Sequence, residues 1–166
     1  EDSTYSEQRN YAVWERTEPG STFKLASLLV ALEDGVVDTA DVVDTENGIY
    51  TIYGKKIKDS NVKYGRGGYG KISVAEAFRK SSNTGIAKSI YGAYINDQSA
   101  FVDQLYQIGL HKPTGITIKG ESNPRIPKPT DDNWSGISLP WMTFGYEVSF
   151  TPLQMLTLYN AIANDG

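Results

Sequence analysis

Two pairs of polar residues in this sequence have the types and the spacing that nucleophilic chemistry requires. Lys24 follows Ser21 by three positions, which puts both side chains one turn apart on one helix face. A serine hydroxyl attacks a carbonyl only when a base takes its proton, and a lysine amine can be that base when burial lowers its pKa. The backbone N–H groups at the helix start would favour the resulting oxyanion. The second pair, Ser81 and Asn83, offers a proton-relaying hydroxyl and an amide that can bind a substrate peptide group.

Each pair also has a simpler structural interpretation. Ser-x-x-Lys is expected about once by chance at this composition, and a second match occurs at Ser60 and Lys63 in a loop-like region. Ser21 could be a helix N-cap with Lys24 as a solvated first-turn lysine, and the second pair could cap the helix that follows it. The helix after Ser21 argues against this interpretation, because it has almost no polar face on which Lys24 could reach solvent.

The elements that must position these residues are expected to be mainly helical. The break at Pro19-Gly20 precedes an apolar run over 21–34 that predicts a buried central helix ending at Gly35. Capping patterns predict further helices from Ser73 to about Lys80, from Thr84 to about Ile95, from Asp97 or Ser99 to Gly109, and from Thr151 to about Asn164.

The remaining segments are expected to be strands and loops. Residues 1–18 are predicted to be a loop or extended, and β character lies around 42–58 with a hairpin turn at Tyr53-Gly54-Lys55. Several prolines between Pro113 and Pro140 predict a surface excursion over 111–140. The glycine-rich loop 64–70 lacks the register of a phosphate-binding loop.

Composition excludes several classes of function. The chain has 166 residues, a net charge of -4 and no cysteine. The acidic balance argues against nucleic-acid binding, and the lack of cysteine removes thiol catalysis and cysteine-ligated metals. His111 is the single histidine, follows a predicted helix end, and is interpreted as a surface or helix C-terminal residue.

The motifs, in their order and context, resemble those of the class B, monofunctional penicillin-binding protein transpeptidases, with a lean towards the division type. Pro-Gly-Ser-Thr-Phe-Lys at 19–24 on a buried helix is followed by a capped helix and by Ser-Ser-Asn at 81–83. The segment 144–166, with its Thr-Pro-Leu-Gln helix, is similar to the family as well, so the resemblance covers nearly the whole chain from about residue 10. The third family motif, Lys-Thr-Gly, is missing, since the inserted proline in 112–115 breaks its spacing.

The resemblance implies a mainly α fold, the helical portion of the α+β penicillin-binding protein and serine β-lactamase-like transpeptidase fold. A small β-hairpin region is expected around 42–58, with most of the main sheet missing. Residues 1–166 would then form a single partial domain, in which 111–140 is a proline-rich surface excursion.

The resemblance also implies acyl transfer. Ser21 would attack the penultimate D-Ala carbonyl of a peptidoglycan stem peptide, and Lys24 would accept the serine proton. Ser81 would relay a proton to the leaving D-Ala amine, and Asn83 would orient the substrate amide. β-Lactams would acylate the same Ser21, and no metal or cofactor would be needed. The parent would face the periplasm on an N-terminal membrane anchor and would meet divisome or elongation proteins. Without the Lys-Thr-Gly strand one oxyanion donor is absent, so this chain alone is expected to be inactive or nearly so.

Three alternatives stay open on the sequence. A serine β-lactamase or a D-Ala carboxypeptidase would transfer the acyl group to water, and a β-lactam sensor domain would be acylated without turnover. A helical interaction module would carry the motifs by chance. That last alternative predicts Ser21 and Ser81 far apart, whereas the enzyme hypothesis predicts both around one cleft near Lys24.

Overall fold

The computed structural model describes residues 9–166, apart from the side chain of Lys63, and it is mainly helical as predicted. The α-helices are α1 (Tyr11–Trp14), α2 (Lys24–Glu33), α3 (Val74–Arg79), α4 (Asn83–Tyr94), α5 (Gln98–Gln107), α6 (Ser138–Met142) and α7 (Pro152–Ala163), and short 3-10 helices span Gly20–Phe23 and Ser60–Tyr64. The strands are β1 (Val42–Asp44), β2 (Ile49–Ile52), β3 (Lys55–Lys58) and β4 (Lys71–Ser73).

Helix α2 lies in the middle of the core because it is apolar on nearly every face. Phe23, Ala26, Val30 and Ala31 are completely buried, and helices α4 and α5 pack against α2. The helix ends where predicted, since Gly35 has a φ of 64° and terminates the α conformation. The active-site candidates at the start of α2 are therefore attached to the most deeply buried element of the fold.

The β region forms a hairpin and a separate strand pair. Strands β2 and β3 pair antiparallel around the predicted turn, with Ile49 opposite Lys58. Strand β1 does not join this hairpin and pairs instead with β4, with Val42 opposite Ser73. The sequence did not predict β4, because three residues are too few to show an alternating pattern and Ser73 is also the N-cap of α3. Both strand pairs contact helix α4.

The predicted helix caps are found with one exception. Thr151 and Gln154 form the complete capping box at the start of α7, and Asp97 caps α5. Only one of the two hydrogen bonds of the capping box predicted at Ser73 forms. The Glu76 N–H donates to Ser73 Oγ at 3.1 Å, but the Glu76 carboxylate pairs with two basic side chains one turn later, which are stronger partners than a backbone N–H.

The prediction of a loop for residues 1–18 is wrong at α1, and its first eight residues lie outside the described part of the chain. Asn10 caps the single turn of α1 by accepting from the Ala12 N–H at 3.1 Å. Val13 is buried where α1 contacts α7. Tertiary packing thus stabilises a turn that is too short to show a helical period in the sequence.

The proline-rich stretch 111–140 packs on the core along an irregular path. Ile126 and Pro127 are buried, and the Tyr106 hydroxyl donates to the Ile126 carbonyl at 3.2 Å. Helix α6 begins at the end of this stretch. None of the helices between residues 9 and 166 has the length and the apolar composition that crossing a membrane requires.

Candidate active site

Ser21 lies exposed at the start of the buried helix α2. Gly20 has a φ of 56°, a left-handed conformation that glycine adopts without steric cost and that leads the chain into a 3-10 turn. The Thr22 hydroxyl donates to the Pro19 carbonyl at 2.9 Å and closes this turn. The turn continues directly into α2, so an accessible hydroxyl stands at the end of a rigid core element.

The segment 145–150 supports the Ser21 turn from the side of the core. The Gly20 N–H donates to the Gly145 carbonyl at 3.0 Å, and a Cβ at position 145 would lie 2.0 Å from the Gly20 oxygen. Only glycine permits this approach. The Phe150 ring stacks on Phe23 with centroids 5.5 Å apart. Residues far along the chain therefore position the turn.

The Lys24 amine is buried, and its three N–H groups meet three oxygen acceptors. Lys24 is 1% exposed, and Nζ lies 2.7 Å from the Ser81 carbonyl, 3.0 Å from Ser81 Oγ and 2.6 Å from Asn83 Oδ1. Burial lowers the pKa of Lys24 from 10.5 to about 8, and the negative charge of Asp59 opposes part of that lowering. The amine can therefore lose its proton close to neutral pH.

The sequence predicted a direct contact between the Lys24 amine and the Ser21 hydroxyl, and the structure differs here. Among residues 9–166, the hydrogen bonds of Nζ reach Ser81 and Asn83 but not Ser21. The reason is that an ammonium group has three donors and no acceptor, and all three donors are occupied. Loss of one proton would give Nζ a lone pair with which it can accept a hydrogen bond.

The turn with Ser81 and Asn83 has a conformation that directs both residues to Lys24. Ser81 has a φ of 53°, which costs a non-glycine residue about 1–3 kcal/mol. Its carbonyl and its hydroxyl both contact the amine. The Asn83 side-chain nitrogen donates to the Lys58 carbonyl at 2.9 Å, which leaves Oδ1 for Lys24. Ser82 provides the cap of α4, so Ser81 and Asn83 are not simply capping residues.

Asp59 is a buried carboxylate at this turn that the sequence did not single out. It is 1% exposed and accepts from Ser82 Oγ at 3.0 Å, from the Thr84 N–H at 2.9 Å and from Thr84 Oγ1 at 2.7 Å. Ser82 and Thr84 alternate with Ser81 and Asn83 along the chain. In a sequence, an aspartate just after a hairpin strand is typical of an exposed turn. Only the folded structure therefore reveals that Asp59 is buried beside the candidate site.

The other residues considered from the sequence lie elsewhere. His111 is half-buried and stacks on an aromatic ring of α5 with centroids 4.5 Å apart. Ser60 is exposed, and the side chain of its partner Lys63 lies outside the described residues. Residues 112–115 form a loop and not a strand. In the described part of the chain, no three His, Asp or Glu side chains are grouped so that they could hold a metal ion.

Sequence comparison with known proteins identifies one family and several relatives that the chain resembles. Residues 1–166 match the family model described as the penicillin binding protein transpeptidase domain. The chain is 34% identical over 158 residues to the peptidoglycan D,D-transpeptidase FtsI of Escherichia coli K12, covering 95% of this chain and 25% of that protein. It is 30% identical over 149 residues to penicillin-binding protein PbpB of Mycolicibacterium smegmatis, covering 90% of this chain and 22% of that protein. The chain thus spans about a quarter of the length of these curated relatives.

Solved structures agree with the sequence comparison. The transpeptidase domain of Burkholderia pseudomallei penicillin-binding protein 3 superposes with a TM-score of 0.79 at 28% identity, over 95% of this chain and 44% of that one. Penicillin-binding protein 3 of Mycobacterium tuberculosis superposes with a TM-score of 0.78 at 30% identity, over 96% of this chain and 34% of that one. The sequence, the helical fold and these comparisons therefore agree that the chain belongs to the penicillin-binding protein transpeptidase domain family.

Proposed function

We propose that this chain carries the nucleophile and the general base of a peptidoglycan D,D-transpeptidase that works through a serine acyl-enzyme. The observation that carries the proposal is the Lys24 amine, which is buried, has a pKa of about 8, and is bound by Ser81 and Asn83 one turn away from the exposed Ser21. The name of the Escherichia coli relative supports the reaction class. Because the chain spans a quarter of that relative, the activity is proposed for the full-length protein.

In the proposed reaction, neutral Lys24 accepts the proton of Ser21 Oγ while that oxygen attacks the carbonyl of the penultimate D-Ala in a stem peptide. The tetrahedral intermediate collapses and releases the terminal D-Ala, whose amine receives the proton through Ser81. The position of Ser81 Oγ, 3.0 Å from Nζ, supports this relay. Asn83 orients the substrate amide. An amine from a neighbouring stem then attacks the acyl-enzyme and loses a proton to Lys24. Lys24 passes this proton to the departing Ser21 Oγ, which regenerates both the hydroxyl and the neutral amine.

The same attack on a β-lactam would open the ring and leave the inhibitor esterified to Ser21. Incubation of the full-length protein with a fluorescent penicillin, followed by intact-mass measurement, tests this step. We expect one adduct on the wild type and none on Ser21→Ala. Ser60→Ala is the matched control, because Ser60 belongs to the other Ser-x-x-Lys match and is exposed; it should be labelled like the wild type. Labelling that persists in Ser21→Ala would exclude Ser21 as the nucleophile.

The alternative enzymes differ in what takes the acyl group. A carboxypeptidase or a β-lactamase would transfer it to water, and a sensor domain would retain a permanent adduct. Product analysis with a stem peptide and an acceptor amine separates them, since a transpeptidase yields the crosslinked product. The helical interaction module predicted Ser21 and Ser81 far apart; the bonds from Lys24 to Ser81 and the family match argue against it.

We also propose that the 166-residue chain has little activity by itself. The family resemblance assigns one oxyanion donor to the Ser21 N–H and the other to a Lys-Thr-Gly strand, and that triplet does not occur in this sequence. Loss of one donor costs about two to three orders of magnitude in rate. Labelling of the isolated chain at the rate of the full-length protein would overturn this expectation.

The cellular role is proposed from the resemblance and from the names of the relatives. We place the full-length protein at the periplasmic face of the cytoplasmic membrane, on an N-terminal anchor, with divisome proteins as partners. Relatives named FtsI and PbpB support a division role, whereas another relative, 28% identical, is named stage V sporulation protein D. Fluorescence of a tagged full-length protein at the septum is expected, and a signal confined to the lateral wall would favour elongation proteins as partners.

A further inference from the structure

We propose that Asp59 is a positioning residue for the reaction proposed above: its buried carboxylate binds the back of the turn at 81–84, so that the front of the turn converges on Lys24. The inference rests on the proposed function, since it assigns Asp59 an effect on Ser21 acylation. It concerns a residue that contacts neither the nucleophile nor the substrate and acts through its neighbours.

The first observation is the way in which Asp59 is buried. An ionised carboxylate in the interior is costly unless hydrogen bonds or a cation compensate it. No salt bridge to Asp59 occurs among the residues that the structure describes, yet the residue is 1% exposed. Its compensation comes from Ser82 Oγ, which contacts both carboxylate oxygens at 3.0 Å, and from the N–H and hydroxyl of Thr84. Bonds to a charged acceptor are stronger than neutral ones, so the turn is bound tightly.

The second observation is the alternation of contacts along the turn. Ser82 and Thr84 bind Asp59, while Ser81 and Asn83 bind Lys24. The contacts therefore alternate along 81–84, with one pair of residues bound to the carboxylate and the other pair bound to the amine. Restraining one set of residues therefore restrains the other set.

The third observation is the strain at Ser81. Its left-handed φ of 53° is unfavourable for serine and persists only where the surroundings enforce it. Two consecutive residues at the end of β3 provide that restraint: the Lys58 carbonyl accepts from Asn83 and the Asp59 carboxylate accepts from Ser82 and Thr84. Without Asp59, the turn could relax and withdraw the Ser81 carbonyl and hydroxyl from the amine.

Asp59 also has an electrostatic effect on the same amine. Among the described residues it is the one carboxylate whose charge raises the pKa of Lys24, against the lowering by burial. Ser81 and Asn83 contact the amine from the start of α4 and carry no charge. Asp34, the carboxylate at the other end of α2, binds the Tyr94 hydroxyl and the Gln104 amide instead.

The test compares variants of the full-length protein by their rate constants for acylation with a fluorescent penicillin, measured against pH, and by thermal unfolding. Asp59→Asn is expected to slow acylation by about 10–100-fold, as misplaced catalytic groups do. It should also move the midpoint of the pH profile to lower pH, because loss of the negative charge lowers the pKa of Lys24 further. Asp34→Asn is the matched control: it removes another hydrogen-bonded carboxylate, at the end of α2 far from the Lys24 amine, and should leave the rate and the midpoint unchanged.

A second pair of variants decides the matter if Asp59→Asn does not fold. Thr84→Val loses the hydroxyl bond to Asp59 at nearly constant shape, and Thr84→Ser retains it. We expect slow acylation for the valine variant and rescue by the serine variant. Equal rates for these two, or a wild-type rate and midpoint for Asp59→Asn, would overturn the role of Asp59. A wild-type protein that is not acylated at all would instead refute the proposed function.

Discussion

The acylation rate of the full-length protein should rise with pH, reach half of its maximum near pH 8 and level off above about pH 9, because Lys24 must be neutral to accept the Ser21 proton. Lys24 is 1% exposed, and its contacts at Nζ are to uncharged oxygens of Ser81 and Asn83. The difference between a pKa of 10.5 and one of about 8 means that the site disfavours the charged amine by about 3 kcal/mol relative to a solvated lysine.

The lowered pKa determines the size of the effect. Roughly one amine in ten is neutral at pH 7 and roughly nine in ten at pH 9, so the rate should increase about tenfold between these values and then reach a plateau. An exposed lysine with a pKa of 10.5 would instead produce an increase of about a hundredfold over the same range, without a plateau. The shape of the profile therefore separates a buried base from a solvated one.

Stopped-flow acylation with a fluorescent penicillin between about pH 6 and pH 10 measures this profile. Lys24→Arg is the control for charge, because arginine keeps the hydrogen-bond donors but cannot deprotonate. It should lose about 10²–10⁴-fold at every pH. Asn83→Asp places a carboxylate next to the amine, raises the pKa of Lys24 and should move the midpoint to higher pH.

Two results would refute this reasoning. A rate that is constant between about pH 7 and pH 9 would mean that no group with the pKa of Lys24 limits acylation. A Lys24→Arg variant that acylates like the wild type would mean that another residue takes the proton from Ser21. Either result would leave the fold assignment intact and remove Lys24 as the base.

Three further predictions concern stability and the support of the site, all measured by thermal unfolding of the full-length protein. Gly145→Ala should destabilise the protein and slow acylation, since its Cβ would lie 2.0 Å from the Gly20 oxygen; the control Gly92→Ala meets no atom within 4 Å and should be neutral or stabilising. Ser27→Ala should raise stability by about 1 kcal/mol, because the buried Ser27 hydroxyl has no partner among the described residues; a lower melting temperature would contradict this. Thr151→Ala should cost about 1 kcal/mol through loss of the capping box, and an unchanged melting temperature would show that the cap contributes little.

Local rules explain why so much of the fold was predictable. The apolar run of α2, the Gly35 stop and the Thr151 capping box depend on neighbours within a few positions, so the sequence displays them directly. Short elements were not predicted, because they depend on distant parts of the chain and not on neighbouring residues. A single turn such as α1 and a three-residue strand such as β4 are formed by their contacts with distant segments, and neither is long enough to show a period.

The sequence by itself determined the kinds of chemistry at the site: a serine and a lysine one turn apart, and a second serine with an asparagine farther along the chain. Only the tertiary structure decided how they meet. It buries the Lys24 amine against Ser81 and Asn83, leaves Ser21 exposed, and brings in Asp59 from the end of a hairpin. The physical reason is that spacing along a helix specifies which side chains share a face, whereas the pKa of a buried amine depends on charges and acceptors that other segments place around it.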